Sequence, residues 1–133
     1  MAKEKKRILV VDDESAFTRM VRLNLEKTGL YEVKEENSGR RAAATARAFK
    51  PDLVLLDVVM PDMDGGDVAT RIKSQPGCAN TPIVFITAIV AKNEAGPAGQ
   101  HSGGHLFLSK PVTLRALVES IEKNLQTPRE IEE

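Results

Sequence analysis

Residues 8–11, 53–56 and 83–86 are short, continuously apolar runs rich in β-branched side chains. Such runs suit parallel strands covered on both faces. Residues 31–35 alternate apolar and charged, as an edge strand would, and 106–108 offer a fifth short strand. Helical patterns lie between them. Phe17, Met20, Val21 and Leu25 recur at helical spacing, with Gly29 following as a C-cap. Residues 40–49 are alanine-rich, and Ser38 is placed as their N-cap. Val68, Ala69 and Ile72 make a short stripe that stops before Pro76-Gly77. Leu114, Leu117, Val118, Ile121 and Leu125 form the cleanest stripe, with Thr113 placed to cap it. Strands alternating with helices predict an α/β, three-layer fold around a parallel sheet.

One segment breaks the rhythm. Parallel strands need a crossover, so a fourth helix is due between Ile86 and Leu106. Residues 91–104 instead hold Gly96, Pro97, Gly99, Gly103 and Gly104, which predicts an irregular fourth helix: short, frayed or absent, and mobile before any switching event. The polar tail 127–133 is expected to be loose, leaving residues 1–126 as one domain.

Composition narrows the classes. A chain of 133 residues is the usual size of one domain. Its one cysteine, Cys78, allows no internal disulfide, which fits a reducing, cytoplasmic setting. With 19 basic and 19 acidic residues, net charge makes no case for nucleic acid or an anionic membrane surface. No apolar run approaches a membrane span, and the run after the basic residues 1–7 is too short for a secretory signal.

The chemistry sits at strand ends. The first strand runs into Asp12-Asp13, the third ends at Asp57, the fourth at Thr87, and Lys110-Pro111 follows the fifth. Parallel strands bring all of these to one edge of the sheet, where open α/β folds bind ligands. Two carboxylates about 4 Å apart repel by roughly 1 kcal/mol in water and about 4 at an effective dielectric of 20. A hard cation relieves that repulsion, and a few carboxylates plus water suit Mg²⁺. Lys110 and Thr87 are then available to a second anion. Carboxylates, a metal and a lysine around one more anion describe a phosphoryl site, with a carboxylate able to act as acceptor.

The strings ILVVDDE at 8–14, PDLVLLDVVMPDMDG at 51–65, PIVFITA at 82–88 and FLSKP at 107–111 resemble the receiver domain of two-component response regulators. The resemblance runs from Arg7 to about Leu125. It implies a flavodoxin-like, doubly wound sheet of five parallel strands in the order 2-1-3-4-5. It implies that a sensor histidine kinase phosphorylates Asp57, and that the protein then signals to an output protein or effector domain. It implies Mg²⁺ bound by Asp13, Asp57 and the backbone carbonyl of Val59, with Asp12 acting partly through water. Thr87 would bond the phosphoryl oxygen, Lys110 would pair with it, a cis bond before Pro111 would aim the lysine, and Phe107 would be the switch aromatic. Such a domain is not an enzyme in its own right; it promotes only its own phosphorylation and dephosphorylation. Phe107 lacks a hydroxyl, so its switching would rest on packing. Val59 and Ile89, at the positions that flank the water path to the phosphoryl group, predict slow self-dephosphorylation.

Each of these residues also has an ordinary reading. Asp12-Asp13 suits a strand-end turn, Asp57 an approach to a helix, Thr87 a cap and Lys110 a solvated lysine. Their joint placement at the ends of different strands favours the site. Rival functions fit less well. A haloacid-dehalogenase-like phosphatase needs an acid two residues after its nucleophile, where this chain has Val59. A flavodoxin-like cofactor binder needs a phosphate loop where Asp12-Asp13-Glu14 would repel phosphate. A receiver cut from a longer transcriptional regulator is a third reading compatible with the sequence. His101 and His105 are separated by Gly103-Gly104 and read as loop and strand-edge residues; Arg40, Arg41 and Arg47 read as a solvated helix face, and Cys78 as inert.

Overall fold

The computed structural model describes residues 4–87, 100–102, 105–110 and 112–131. Strands β1 (Lys6–Val11), β2 (Tyr31–Glu36), β3 (Leu53–Asp57) and β4 (Ile83–Thr87) alternate with helices α1 (Ser15–Lys27), α2 (Gly39–Phe49) and α3 (Gly65–Lys73). They form a parallel sheet in the order β2-β1-β3-β4. Two further strands, β5 (Gln100–Ser102) and β6 (His105–Ser109), and a last helix, α4 (Leu114–Ile131), complete the described elements.

Strand parity divides the core. Ile8, Val10, Leu53, Leu55, Val84 and Ile86 face one side, where Val21 and Leu25 of α1 and Leu117 and Ile121 of α4 cover them. Leu9, Val11, Val54, Leu56, Ile83 and Phe85 face the other, under Ala42 and Ala46 of α2 and Val68 and Ile72 of α3. The continuous apolar runs are therefore a consequence of burial on both faces. β2 lies at the edge and alternates as expected, with Tyr31 and Val33 buried and Glu32 and Lys34 exposed. Cys78 is buried in the second cluster with its thiol 3.9 Å from the Ala46 carbonyl.

The helices follow the sequence with local exceptions. Gly29 takes a left-handed φ of 80° after α1, and the Thr113 hydroxyl caps α4 by accepting the Ala116 N–H at 3.0 Å. Met20 is 37% exposed, and Thr18, not Met20, is buried beside Val21 and Leu25. Ser38 occupies the N-cap position of α2, but its hydroxyl caps nothing and donates to Asp62 instead. α4 runs past the end of its apolar stripe at Leu125, to Ile131.

Beyond the expected 2-1-3-4 core, the described residues add two short strands to the sheet. β6 pairs parallel with β4, and β5 pairs antiparallel with β6 from Ser102↔His105 to Gln100↔Phe107. A glycine-rich run disfavours a helix, and the described residues 100–102 are instead extended and paired with β6. Of the segment 91–104 expected to hold an irregular fourth helix, Gln100–Ser102 are a strand; the rest lies outside the described residues, as do the expectations concerning Ile89 and the bond to Pro111.

Candidate functional site: an acidic cluster at the strand ends

The sheet brings its carboxyl ends together. Asp12 follows β1, where its N–H donates to the Glu36 carbonyl at 3.1 Å, and Asp57 closes β3 opposite Ile86. One carboxylate oxygen from each of Asp12, Asp13 and Asp57 lies within 4.8 Å of the others. Asp12 and Asp57 are buried and Asp13 is exposed, so the cluster opens to solvent on one side only. Thr87 ends β4 opposite Ser109, and Phe107 sits in β6 opposite Phe85; their side chains lie outside what the structure describes.

Lys110 reaches the cluster but does not stand free for an incoming anion. Its Nζ lies 2.6 Å from Asp12 Oδ2 and 3.0 Å from Glu14 Oε1, and 4.4 Å from the centre of the Phe17 ring. In the sequence Phe17 has a place only in the α1 stripe and Glu14 only as a third charge beside Asp12-Asp13, neither as a partner of Lys110. They stand close after Asp12-Asp13, but nothing local marks them as partners of a residue near the other end of the chain. Asn37 was missed for the same reason: its amide donates to the Asp12 carbonyl at 2.7 Å and to the Thr18 hydroxyl at 3.0 Å, tying β1 to α1.

The acceptor loop 58–64 is held at both ends. Val58 N–H donates to the Ile86 carbonyl at 3.3 Å, and Gly65 N–H donates to the Val58 carbonyl at 2.9 Å. Asp64 caps α3 by accepting the Gly66 N–H at 2.9 Å. Met60 is buried beneath the loop, whereas Val59 is 54% exposed at the mouth of the site.

The electrostatics follow from this packing. Burial, then the neighbouring Asp12 charge, pushes the Asp57 carboxyl up to about 6, against the opposing pull of Lys110 and the Val59 N–H. Burial also raises Asp12, more than the ammonium of Lys110 beside it lowers it. Burial disfavours the Lys110 ammonium, but Asp12 and Glu14 outweigh this and hold it protonated above its ordinary range. A raised folded-state pKa means that the fold binds the Asp57 proton more tightly than the unfolded chain does. Its contribution is complete below the unfolded pKa and is lost as pH rises through about 6. The metal-free protein is therefore expected to lose about 2 kcal/mol between roughly pH 4 and 7, allowing for solvent screening. Urea unfolding of native protein and Asp57→Asn across this range checks it; equal pH slopes in the two would refute the assignment.

The donor set fits a hard divalent cation. It is all oxygen, and Asp12 Oδ2 is buried with an ion pair to Lys110 but no aligned hydrogen bond. It therefore keeps acceptor capacity that a cation or its water would satisfy. This is the acidic triad typical of a Mg²⁺-binding receiver site.

Comparison with known proteins agrees with the geometry. The response regulator receiver domain family matches residues 8–122. The chain is 41% identical over 106 residues to the response regulator PleD of Caulobacter vibrioides, covering 80% of this chain and 23% of that protein. It is 28% identical over 120 residues to the polar-differentiation response regulator DivK of Brucella ovis, covering 90% of this chain and 96% of that protein. Among solved structures, the Vibrio cholerae chemotaxis protein CheY4 superposes with a TM-score of 0.76 at 29% identity, over 90% of this chain and 98% of that one. The chain thus spans about a quarter of the length of PleD and nearly all of DivK. No described helix is long and apolar enough to cross a membrane. An acidic triad at the carboxyl edge of a 2-1-3-4 sheet, in a chain that this family matches over most of its length, places the protein among the response regulator receiver domains, the phosphoacceptors of two-component signalling.

Proposed function

We propose that Asp57 is the phosphoryl acceptor, charged by a sensor histidine kinase in the cytoplasm, and that the acyl phosphate formed there switches the domain toward an output protein or effector domain. The observation that carries this reading is the meeting of Asp12, Asp13 and Asp57 within 4.8 Å, with the Lys110 ammonium already beside Asp12. Asp13, Asp57 and the Val59 carbonyl would hold Mg²⁺, and Asp12 would contribute largely through water because its oxygens already serve the Glu14 N–H and Lys110. The bound ion would supply positive charge against the phosphoryl oxygens. Asp57 attacks phosphorus with a carboxylate oxygen, and the bond from phosphorus to the donor's imidazole nitrogen breaks. Lys110 would then leave Glu14 for the phosphoryl oxygens, and Thr87 would donate to the same group. Phe107 would answer by repacking. The domain promotes its own phosphorylation and hydrolysis and has no other turnover. The family's order 2-1-3-4-5 corresponds to β2-β1-β3-β4-β6 here, and we assign residues 1–126 to the switching domain, with 127–133 outside it.

The test is incubation with acetyl phosphate. One phosphoryl group is expected with Mg²⁺ present and none after chelation; metal-independent labelling would defeat the reading. In calorimetric titration, Asp13→Ala is expected to weaken Mg²⁺ binding more than Asp12→Ala, and the reverse ranking would overturn the ligand assignment. A metal-dependent phosphatase remains disfavoured because Val59 stands where its acid would be. A receiver within a longer transcriptional regulator is the second reading, favoured by RpaA of Synechocystis, a transcriptional regulator of which the chain covers 49%. The length of the natural reading frame decides between the two.

The phosphorylated form is expected to persist. Val59 is exposed at the site and its side chain has no group to orient a water. Orientation of the nucleophile contributes heavily to phosphoryl transfer. Val59→Asn together with Ile89→Glu is expected to shorten the lifetime about a hundredfold. Equal decay of native protein and variant, followed in Mg²⁺ buffer, would remove these side chains from the water path.

A further inference from the structure

Asp62 belongs to the acceptor loop between β3 and α3, yet its carboxylate serves α2. Oδ2 accepts the Arg40 N–H at 3.1 Å and the Ser38 hydroxyl at 3.0 Å, and Oδ1 accepts the Gly39 N–H at 3.3 Å. Helix starts leave their first N–H groups without partners in the helix. Ser38 stands at the N-cap position and makes no cap bond with its own side chain. The cap is therefore supplied from a distant segment. These bonds, the one from Arg40 foremost, hold the Asp62 carboxyl below the usual carboxylate range.

A second observation marks the same contact from the other side. A Cβ on Gly39 would lie 3.2 Å from Asp62 Oδ1, 3.2 Å from Met63 Cβ and 3.2 Å from Val68 Cγ2. The start of α2 and the acceptor loop are thus packed together with little spare room. This loop also carries Val59, whose N–H bonds the Asp57 carboxylate. Hydrogen bonds at Val58, Asp64 and Gly65 fix the loop's two ends. Its middle is held by Met60 from below and Asp62 from the side.

We propose that Asp62 is a positioning residue of the phosphoacceptor site: by fastening the middle of the acceptor loop to α2, it sets where the Val59 carbonyl stands and makes the first turn of α2 respond to what binds beside Asp57. The inference rests on the proposed role of that carbonyl as a metal ligand. Coupling of this kind is reciprocal. If the tie steadies the loop for the cation, a cation that steadies the loop also steadies the tie. Mg²⁺ is then expected to slow exchange of the Gly39 and Arg40 amides, although neither is a ligand.

Two variants separate position from charge. Asp62→Asn removes the charge and keeps one acceptor oxygen, enough for the Arg40 N–H and the Ser38 hydroxyl, while its NH2 replaces the oxygen that accepts from Gly39. Asp62→Glu keeps the charge and carries the oxygens one bond further out. Magnesium affinity is read by calorimetry, and amide exchange at Gly39 and Arg40 is followed with and without Mg²⁺. Asp62→Asn is expected to bind close to native and to retain the Mg²⁺-dependent slowing at Arg40, whose acceptor oxygen it keeps. Asp62→Glu is expected to bind about tenfold more weakly, the usual penalty for loss of an outer support, and to lose the slowing. Native affinity in both variants overturns the proposal. So does weak binding by Asp62→Asn with native binding by Asp62→Glu, since the carboxylate would then act through its charge. A native protein that takes up no Mg²⁺ overturns the reading of the site itself, and this inference with it.

Discussion

Asp57→Asn is expected to take up no phosphoryl group from acetyl phosphate or from a kinase, while remaining folded. The amide is close in size to the carboxylate and keeps an oxygen for the Val59 N–H, so the end of β3 need not move. What is lost is the anionic nucleophile: an amide oxygen forms no stable acyl phosphate. The structure adds a second consequence. Asp57 is buried beside the Asp12 charge and its carboxyl is raised to about 6, so at neutral pH its ionisation works against the metal-free fold. The inactive variant is therefore expected to be more stable than native protein without Mg²⁺. Intact-mass analysis after incubation reads the first effect and urea midpoints read the second. Undiminished labelling of Asp57→Asn would place the acceptor elsewhere.

Gly65→Ala is expected to cost about 3 kcal/mol of stability and to damage the site with it. A Cβ there would stand 2.7 Å from the Val58 Cα and 2.8 Å from both the Asp57 and Val58 carbonyl oxygens. All three neighbours are backbone, so no side-chain rotation relieves the overlap. Either α3 shifts, with loss of the Gly65 N–H bond to the Val58 carbonyl, or the end of β3 moves and takes Asp57 with it. The adjacent glycine is the control. A Cβ on Gly66 meets only Asp64 Oδ2, at 3.0 Å, the end of a side chain that can turn. Gly66→Ala is therefore expected to change stability by less than about 1 kcal/mol, with helix propensity offsetting the contact. Denaturant midpoints and Mg²⁺ titration of the two variants decide the matter; equal behaviour would mean that the close approach at Gly65 is not required.

The readable part of the fold was the part governed by burial. Residues 8–11, 53–56 and 83–86 are apolar at every position because helices cover both faces of their strands, and residues 31–35 alternate because β2 lies at the edge. Local chemistry served equally well at Gly29 and Thr113, where the residue that ends or starts the helix carries its own reason. It served less well before Leu106, where a crossover helix was due: glycine content argues against a helix, but only the pairing of Gln100–Ser102 with β6 selects a strand there. Ser38 is similar: the residue suits an N-cap, but the Asp62 carboxylate, a stronger acceptor brought in by the tertiary fold, takes the helix N–H groups instead.

The sequence by itself determined the fold class and the identity of the acidic cluster, because a parallel sheet places its strand ends on one edge whatever the details of packing. Asp12, Asp13 and Asp57 could be brought together on that argument alone, and the structure has them within 4.8 Å. The tertiary structure alone decided which charge faces which. Lys110 rests against Asp12, Glu14 and the Phe17 ring, and Asp62 serves α2 instead of its own loop. Those choices are made between residues far apart in the chain, by distances of a few ångströms and by how much water each group has lost. Hydrophobic period records which face of an element is buried; it carries no information about which distant partner meets a buried charge.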